Sequence, residues 1–429
     1  MADFGRKPVA IDLFAGVGGF SLGIEQAGFD VAVAVEKDPI HAASYAFNFP
    51  QTQVLCTDIA ALNSAVILEA VGNWYTRNEI NPPFPEIDLV FGGPPCQGFS
   101  YMGRGEIDDG RNRLVFEFCR LVKELQPRYF AMENVPGLGQ KKYQKLLKQL
   151  IREFKAAGYK VTKPIQVLNS VHFGLPQQRR RLFLLGSRIG EKPVKYPKPE
   201  LSVESEFRTV RDAIADLPNL ADFTELYTSD SIELTDEQLK LMEAKAMPYT
   251  EKLRDIISDS GNFAYPRHWN PRLLTGIMLT KHSQASIERF SQTLPGKLEP
   301  ISRLQRLDWD TPCHTLRAGT GSDKGSYTSP RPLHPDYPRV ISVREAARLH
   351  SFPDWFRFHA TKWHGFRQVG NAVPPLLARV IGRQIITALG ITPSVPKVTL
   401  DLGNPQLLRF RHLSASRYWK LQFQSRSSF

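Results

Sequence analysis

Short apolar strands alternate with helices along the first half of this chain, and each strand ends in a polar or glycine-rich turn. Strands are predicted at 9–14, 31–35, 54–57, 87–91, 128–132, 159–168 and 181–186, and helices at 113–125, 141–157 and from the first turn to Gly28. Alternation of this kind produces a parallel sheet with helices on its faces. We therefore expect an α/β fold with a doubly wound, mostly parallel sheet and a second, smaller domain.

The carboxyl ends of these strands carry the residues of greatest chemical interest. They are Phe14, Glu36, Asp58, Cys96 and Glu133. In a parallel sheet such ends share one edge, and ligands of open α/β sheets bind in the crevice outside it. The sequence thus predicts a single site that faces all five residues.

A glycine-rich turn, Ala15-Gly16-Val17-Gly18-Gly19-Phe20, leads from the first strand into a helix. Its glycines allow a ligand to approach the backbone closely. Glu36 follows Gly16 by 20 residues, a spacing that suits a carboxylate on ribose hydroxyls. The loop is not spaced GxGxxG, since the next glycine is Gly23. An adenosine-like ligand fits this pattern better than a dinucleotide; the alternative is a tight turn beside a solvated glutamate.

Cys96 lies in Gly92-Gly93-Pro94-Pro95-Cys96-Gln97-Gly98-Phe99-Ser100, directly after a buried strand. Prolines and glycines stop the strand, so the thiol is expected on an irregular loop at the ligand-binding edge. The alternative is a structural cysteine, because free cysteines are most often buried. Pro-Pro before the thiol and Gln-Gly after it favour the functional interpretation.

Charge and cysteine content narrow the classes of protein. The formal net charge of +12 favours a polyanion, and nucleic acid in particular, as partner. Four scattered cysteines and ten histidines form no CxxC or HExxH spacing, so we predict no metal site and no disulfide framework. The amino terminus has no apolar signal region, and no apolar run approaches the length of a membrane span. We therefore predict a cytoplasmic, nucleoid-associated protein without a membrane role.

Basic residues concentrate in the second half. Residues 261–340 carry eleven Lys and Arg against six Asp and Glu. A polar, glycine-rich stretch at 318–327 suits a DNA groove or backbone, although an ordinary surface loop is the alternative. The last 39 residues carry six basic residues and one acid, Asp401, and either touch DNA or are simply solvated.

With these residues in place, the chain resembles the DNA (cytosine-5)-methyltransferase family. The resemblance covers about residues 8–215 and 335–390 and involves six motifs in the family's order. The motifs are Asp12 to Phe20, Gly93 to Ser100, Glu133-Asn134-Val135, Pro176 to Arg181, Arg211 to Ile214 and Gln368 to Pro375.

The resemblance implies a domain organisation and a set of partners. A catalytic domain at 1–215 would be followed by a target-recognition domain at 216–335, a return to the catalytic domain at 336–390 and a basic tail at 391–429. It implies an S-adenosylmethionine-dependent methyltransferase fold, S-adenosylmethionine as cofactor, double-stranded DNA as substrate and a monomer. A cognate restriction endonuclease, with no physical contact required, would be a functional counterpart.

The resemblance also assigns roles to individual residues. Cys96 is the nucleophile that adds to carbon 6 of a flipped-out cytosine, Glu133 stabilises charge on ring nitrogen 3, and Arg179 and Arg181 orient the base. The cofactor would contact Phe14, Ala15, Gly16, Gly18, Gly19, Phe20, Glu36, Asp58, Pro94 and Asn371. DNA would contact Gln97, Ser100, Arg104 and Arg111, the last two on a loop at 101–112 expected to close over the site.

Alternatives remain at this stage. The same chemistry on an RNA substrate is one, and a catalytically inactive DNA-binding homologue is another. A dinucleotide oxidoreductase is disfavoured by the glycine spacing. Arg179, Arg180 and Arg181 would also suit a phosphate-binding patch. The helix predicted at 343–350 is interpreted as structural.

Overall fold

The computed structural model describes residues 7–79, 86–95, 113–319 and 331–426. The amino-terminal part of this range forms a mostly parallel sheet with helices on both faces, as predicted. The strands of this sheet are β1 (Val9–Leu13), β2 (Asp30–Glu36), β3 (Gln53–Cys56), β4 (Leu89–Gly92), β5 (Tyr129–Asn134), β6 (Tyr159–Val161), β7 (Gln166–Asn169) and β9 (Arg180–Arg188), and the short strand β8 (Gln177–Gln178) lies outside it. Its helices are α1 (Gly19–Ala27), α2 (Pro39–Asn48), α3 (Ser64–Arg77), α4 (Arg113–Leu125) and α5 (Gln144–Ala156).

The order of the strands creates a crevice next to β1. The main sheet runs β3-β2-β1-β4-β5-β9-β6, and β7 also pairs with β9. The chain passes from β1 to β2 on one side, whereas β4 occupies the other, so the connections after β1 and β4 diverge. Such a switch point is where open α/β sheets bind ligands. The glycine turn leaves one of these strands and the segment toward Cys96 leaves the other.

The far edge of the sheet corrects one prediction. Residues 159–168 do not form a single strand, because β6 and β7 are separated and each pairs antiparallel with β9. Pro164 lies between them and has no backbone N–H to donate to a ladder. The long strand β9 pairs with β6 through residues 186–188 and with β7 through residues 180–183.

The middle of the chain contains short elements. They are α6 (Val210–Ile214), β10 (Ser231–Glu233), α7 (Asp236–Ala244), α8 (Pro248–Leu253), β11 (Leu273–Thr275), α9 (Gln284–Gln292) and β12 (Cys313–His314). Eight buried apolar residues between Leu220 and Leu279 form a cluster of their own, but Tyr249, Leu307 and Leu316 belong to a core shared with the sheet domain. The predicted recognition domain thus has a local core and a second one in common with the catalytic part.

The chain then returns to the sheet domain through α10 (Val343–Leu349), α11 (Lys362–Asn371) and α12 (Pro375–Leu389). Helix α12 packs against α1 at very short range: a Cβ on Gly23 would lie 2.3 Å from the Pro375 carbonyl oxygen, and one on Gly382 would lie 2.5 Å from the Ala27 Cβ. Glycines at both positions therefore allow the two helices to approach closely.

The basic tail folds onto the sheet domain. It forms α13 (His412–Arg426), and the Trp419 indole donates to the Pro39 carbonyl at 3.0 Å, while Leu407 and Leu408 are buried against the same domain. The tail is therefore not simply solvated, and contact of its exposed residues with DNA stays a prediction.

One stretch of the described chain, Lys362–Leu389, has the length and mean hydropathy (1.2) of a membrane span. The sequence prediction of no such stretch therefore needs amendment. However, 72% of its most apolar window is buried inside the fold, and Ala372 to Pro374 divide it into α11 and α12. These properties are those of core helices.

Candidate active site

The glycine turn after β1 has a backbone that few sequences adopt. Phe14, Gly16 and Gly18 all have positive φ, at 68°, 58° and 96°. Gly18 also lacks room for a side chain, because a Cβ would lie 2.3 Å from the Phe49 ring. By contrast, a Cβ on Gly16 would have no atom within 4 Å. The turn is thus packed on its inner side and open at Gly16, where its backbone is accessible to a ligand.

Glu36 is fixed beside this opening. Its carboxylate accepts from the Gly16 N–H and from the Asp38 N–H, both at 2.7 Å. Two backbone donors hold a carboxylate in one orientation without neutralising its charge. Each oxygen retains a free lone pair, so Glu36 is able to accept further hydrogen bonds from hydroxyl groups.

Asp58 lies farther out, at the end of β3. It accepts from the Ala60 N–H and forms an exposed ion pair with Lys37 at 2.7 Å. The hydrogen bond from Lys37 is the main cause that lowers the pKa of Asp58. Asp58 is therefore available at the rim of the crevice, but it already caps a short helical turn.

The side chains of the other predicted cofactor residues differ in orientation. Phe14 is half-buried, whereas Ala15 is buried and its N–H donates to the Val35 carbonyl at 2.9 Å. Phe20 points into the core, where its ring lies 4.7 Å from that of Phe91. The Phe20 side chain thus belongs to the core, and a contact of Phe20 with a cofactor would involve its backbone.

Sequence reasoning missed Asp12, a buried carboxylate within β1. One of its oxygens accepts from the Ser21 hydroxyl at 2.6 Å, and that hydroxyl accepts from Tyr45 at 2.8 Å. Among the described residues the other oxygen, Oδ1, has no partner, and burial raises the pKa of Asp12 well above its usual range. The signal for it was a single acid in an otherwise apolar strand, directly before the glycine turn.

Glu133 and Arg181 form the central polar pair of the site. Their Nε and Oε1 atoms lie 2.6 Å apart, and both side chains are largely buried. Glu133 is the second-last residue of β5 and Arg181 is the second residue of β9, so pairing of these strands brings the two side chains together. Burial lowers the pKa of Arg181, and Glu133 opposes that effect. The pair supplies a fixed carboxylate and a guanidinium at the predicted edge.

The exit of β4 runs directly past this pair. A Cβ on Gly93 would lie 3.0 Å from Oε2 of Glu133, and the Asn134 amide donates to the carbonyl of buried Pro94 at 3.4 Å. The chain thus passes beside Glu133 at Gly93, three residues before Cys96. Cys96 itself, with Gln97, Ser100, Arg104 and Arg111, lies outside the described residues.

Arg179 is held by backbone carbonyls from distant parts of the chain. Like Arg181 it points inward, but it is only 1% exposed, and its guanidinium donates to the carbonyls of Leu316, Gly370 and Ala372 at 2.8 to 2.9 Å. These contacts favour a positioning role over direct orientation of a base. Arg180 between them is exposed.

Asn371 ends α11 with an exposed side chain. The residues that follow it contact the glycine turn: a Cβ on Gly19 would lie 2.5 Å from the Val373 carbonyl oxygen and 2.9 Å from the Ala372 Cβ. The return of the chain thereby places the two residues that follow Asn371 against the glycine turn.

Comparisons with known proteins agree with this architecture. The model of the family described as C-5 cytosine-specific DNA methylase matches residues 9–387. The type II methyltransferase M.XorII of Xanthomonas oryzae pv. oryzae is 47% identical over 94% of this chain and 90% of its own length. The type II methyltransferase M.DdeI of Desulfomicrobium norvegicum is 32% identical over 87% and 88%, respectively.

A solved structure supports the same conclusion. A protein encoded within an E. coli prophage and described as a DNA modification methyltransferase superimposes with a TM-score of 0.69 at 33% identity, covering 90% of this chain and all of that one. An Entamoeba histolytica methyltransferase shares the fold at 13% identity, with a TM-score of 0.54. The chain therefore belongs to the C-5 cytosine-specific DNA methylases and is a DNA (cytosine-5)-methyltransferase of the restriction-modification type.

Proposed function

We propose that the protein methylates carbon 5 of a flipped-out cytosine in a short duplex DNA sequence, through a covalent adduct on Cys96. The observation that carries this proposal is the Glu133–Arg181 pair, which lies beside the β4 exit that leads to Cys96. A nucleophile, a carboxyl group and a guanidinium would thus converge on one base.

Cytosine carbon 5 is a poor nucleophile and needs activation. The Cys96 thiolate adds to carbon 6, forming a carbon–sulfur bond and moving electron density toward ring nitrogen 3 and carbon 5. Glu133 shares a proton with nitrogen 3, and Arg181 faces the neighbouring carbonyl oxygen and keeps Glu133 in place. After carbon 5 has gained the methyl group it loses its proton to a base, and the carbon–sulfur bond breaks to release Cys96.

The described cysteines support Cys96 as the nucleophile. Burial raises the pKa of Cys56 and of Cys119 to about 12, and raises that of Cys313 further. A thiol with such a pKa is almost entirely protonated near pH 7 and reacts poorly as a nucleophile. Cys96, which lies outside the described residues, is the remaining candidate among the four cysteines of the chain.

The residues around the glycine turn fit S-adenosylmethionine. The turn is open at Gly16, Glu36 retains acceptor capacity for ribose hydroxyls, and Oδ1 of Asp12 is a buried acceptor without a partner among the described residues. When bound, S-adenosylmethionine supplies an electrophilic methyl group. Glu36 would hold the ribose, Asp58 the adenine, and the backbone of the turn together with Asn371 the methionine part.

DNA as substrate follows from the family. The proposal adds that the DNA is double-stranded, and that the base is extruded, because carbon 5 and carbon 6 are inaccessible to attack within a stacked duplex. The segment at 216–335 is proposed as the recognition domain. We further propose that the enzyme acts as a monomer in the cytoplasm, in contact with the nucleoid, with a cognate endonuclease that need not touch it.

The test is base-resolution methylation mapping with wild type and Cys96→Ala. Unmethylated duplex DNA is incubated with S-adenosylmethionine, and we expect 5-methylcytosine at one short sequence with wild type. Cys96→Ala should bind the same duplex and transfer no methyl group. Methylation by Cys96→Ala would overturn the nucleophile assignment, and transfer to RNA in preference to duplex DNA would overturn the substrate.

A further inference from the structure

The backbone on both sides of Asn371 is held by one buried side chain. Nη2 of Arg179 donates to the carbonyls of Gly370 and Ala372, each at 2.9 Å. These carbonyls flank Asn371, where α11 ends and the chain turns toward α12. Arg179 therefore fixes the peptide units that determine where the Asn371 side chain is directed.

His350 provides a second, independent restraint on the same turn. It follows α10, is fully buried, and lies between the Gln177 amide at 2.9 Å and the Ala372 carbonyl at 3.0 Å. The imidazole thus connects the strand that precedes Arg179 with the turn that follows Asn371.

The hydrogen-bond pattern defines the protonation of this ring. Oε1 of Gln177 accepts from the Leu316 N–H, so its Nε2 is the atom that donates to Nδ1 of His350. Nε2 of His350 must then carry the hydrogen and donate to Ala372. Burial, reinforced by the Arg179 charge, lowers the pKa of His350 well below its usual range and keeps the ring neutral.

The restrained turn is the part of the chain that touches the glycine turn. Ala372 and Val373 lie against Gly19 so closely that a Cβ there would overlap them. A shift of the Ala372 carbonyl would therefore move both Asn371 and the surface that supports the start of α1.

We propose that His350 is a positioning residue for the cofactor, which together with Arg179 fixes the turn around Asn371 against the glycine turn. This inference rests on the proposed function, in which Asn371 contacts S-adenosylmethionine. His350 itself acts through Ala372 and need not touch the ligand.

The test measures binding of S-adenosylhomocysteine to the full chain without DNA, by titration calorimetry. His350→Leu removes both hydrogen bonds, while Gln177 keeps the Leu349 carbonyl and Ala372 keeps Arg179 as partners, so we expect a folded protein. Its Kd should rise by about tenfold or more. His350→Gln, whose amide offers one acceptor and one donor, should stay within about threefold of wild type.

His172→Leu is the matched control, since His172 makes a comparable bond to the Leu201 carbonyl away from this turn. It should leave the Kd unchanged, and thermal unfolding is measured for every variant. If His350→Leu does not fold, His350→Asn replaces it, because the shorter amide does not span both partners and should weaken binding in the same direction.

The outcomes separate the inference from the function on which it rests. Wild-type affinity in His350→Leu, or equal weakening in His350→Leu and His350→Gln, would overturn the positioning role. Asn371→Ala is measured in parallel: unchanged affinity there would refute the assignment of Asn371 itself. Weak binding in Asn371→Ala and His350→Leu, with recovery in His350→Gln, is the expected result.

Discussion

Gly93→Ala tests whether the β4 exit controls the position of Glu133. A Cβ on Gly93 would lie 3.0 Å from Oε2 of Glu133, whereas ordinary contacts begin at 3.4 Å, so the carboxylate must move by about 0.4 Å. Misplacement of a catalytic group by 1 Å costs about 100-fold in rate. Scaling this loss to 0.4 Å gives a decrease in kcat of about sixfold.

The expected effect on stability is small, because Oε2 of Glu133 is the end of a side chain and Gly93 does not have positive φ. We expect a change of less than about 1 kcal/mol in the free energy of unfolding. The assay is single-turnover methyl transfer to a duplex that contains the recognition sequence, alongside urea unfolding.

Alanine variants of two other glycines serve as controls. At Gly72 an added Cβ meets nothing within 4 Å, so Gly72→Ala in helix α3 should leave activity unchanged. At Gly92 a Cβ would lie 1.9 Å from the Leu13 carbonyl oxygen, so Gly92→Ala should lower stability by about 3 kcal/mol. Full activity in Gly93→Ala, or a loss explained by unfolding, would refute the argument.

Three further predictions concern stability and cofactor binding. Arg267→Ala should lower the free energy of unfolding by about 3–5 kcal/mol in urea titrations, because it leaves the buried Glu25 carboxylate without its ion pair at 2.9 Å; a loss below about 1 kcal/mol would contradict this. Burial raises the pKa of Glu345, but the Arg339 charge is the strongest of the opposing effects, and the net result is a decrease from 4.5 to about 2. The Glu345 carboxylate therefore stabilises the fold fully above pH 4.5, and this contribution is lost as the pH falls toward 2. About 2 kcal/mol should be lost by pH 3, and Arg339→Met should flatten this dependence; equal slopes would argue against the pair. Gly370→Ala would place a Cβ 2.3 Å from the backbone nitrogen of Ala318, so it should displace the turn around Asn371 that Arg179 holds and raise the Kd for S-adenosylhomocysteine in titration calorimetry; an unchanged Kd would contradict this.

The alternation of strands and helices was sufficient to predict the sheet and its ligand-binding edge. The bounds predicted for α4, 113–125, match the structure because this helix has one apolar and one charged face. Helix α2 was missed for the opposite reason, since nine of its ten residues are buried and no polar face marks its period. The apolar period of a helix thus marked α4 but not α2.

In the site, the local sequence predicted the side on which two arginines lie but not the residues that they contact. Period two along an extended segment placed Arg179 and Arg181 on one side, and both side chains do point inward. Their partners, however, come from distant parts of the chain: Glu133 for Arg181, and Leu316, Gly370 and Ala372 for Arg179. The local sequence around Arg179 and Arg181 therefore did not show that Arg181 pairs with Glu133, whereas Arg179 holds the backbone on both sides of Asn371.

The contact of Gly19 with Val373 has a consequence for synthesis of the protein. At about 5–20 residues per second, a ribosome needs roughly 20–70 s to travel between these two positions. During that interval the glycine turn has been synthesised, but the segment at Ala372 and Val373 that packs against it has not. A nascent chain should therefore be unable to bind the methyl donor until translation is nearly complete, which delays modification of DNA by each new molecule.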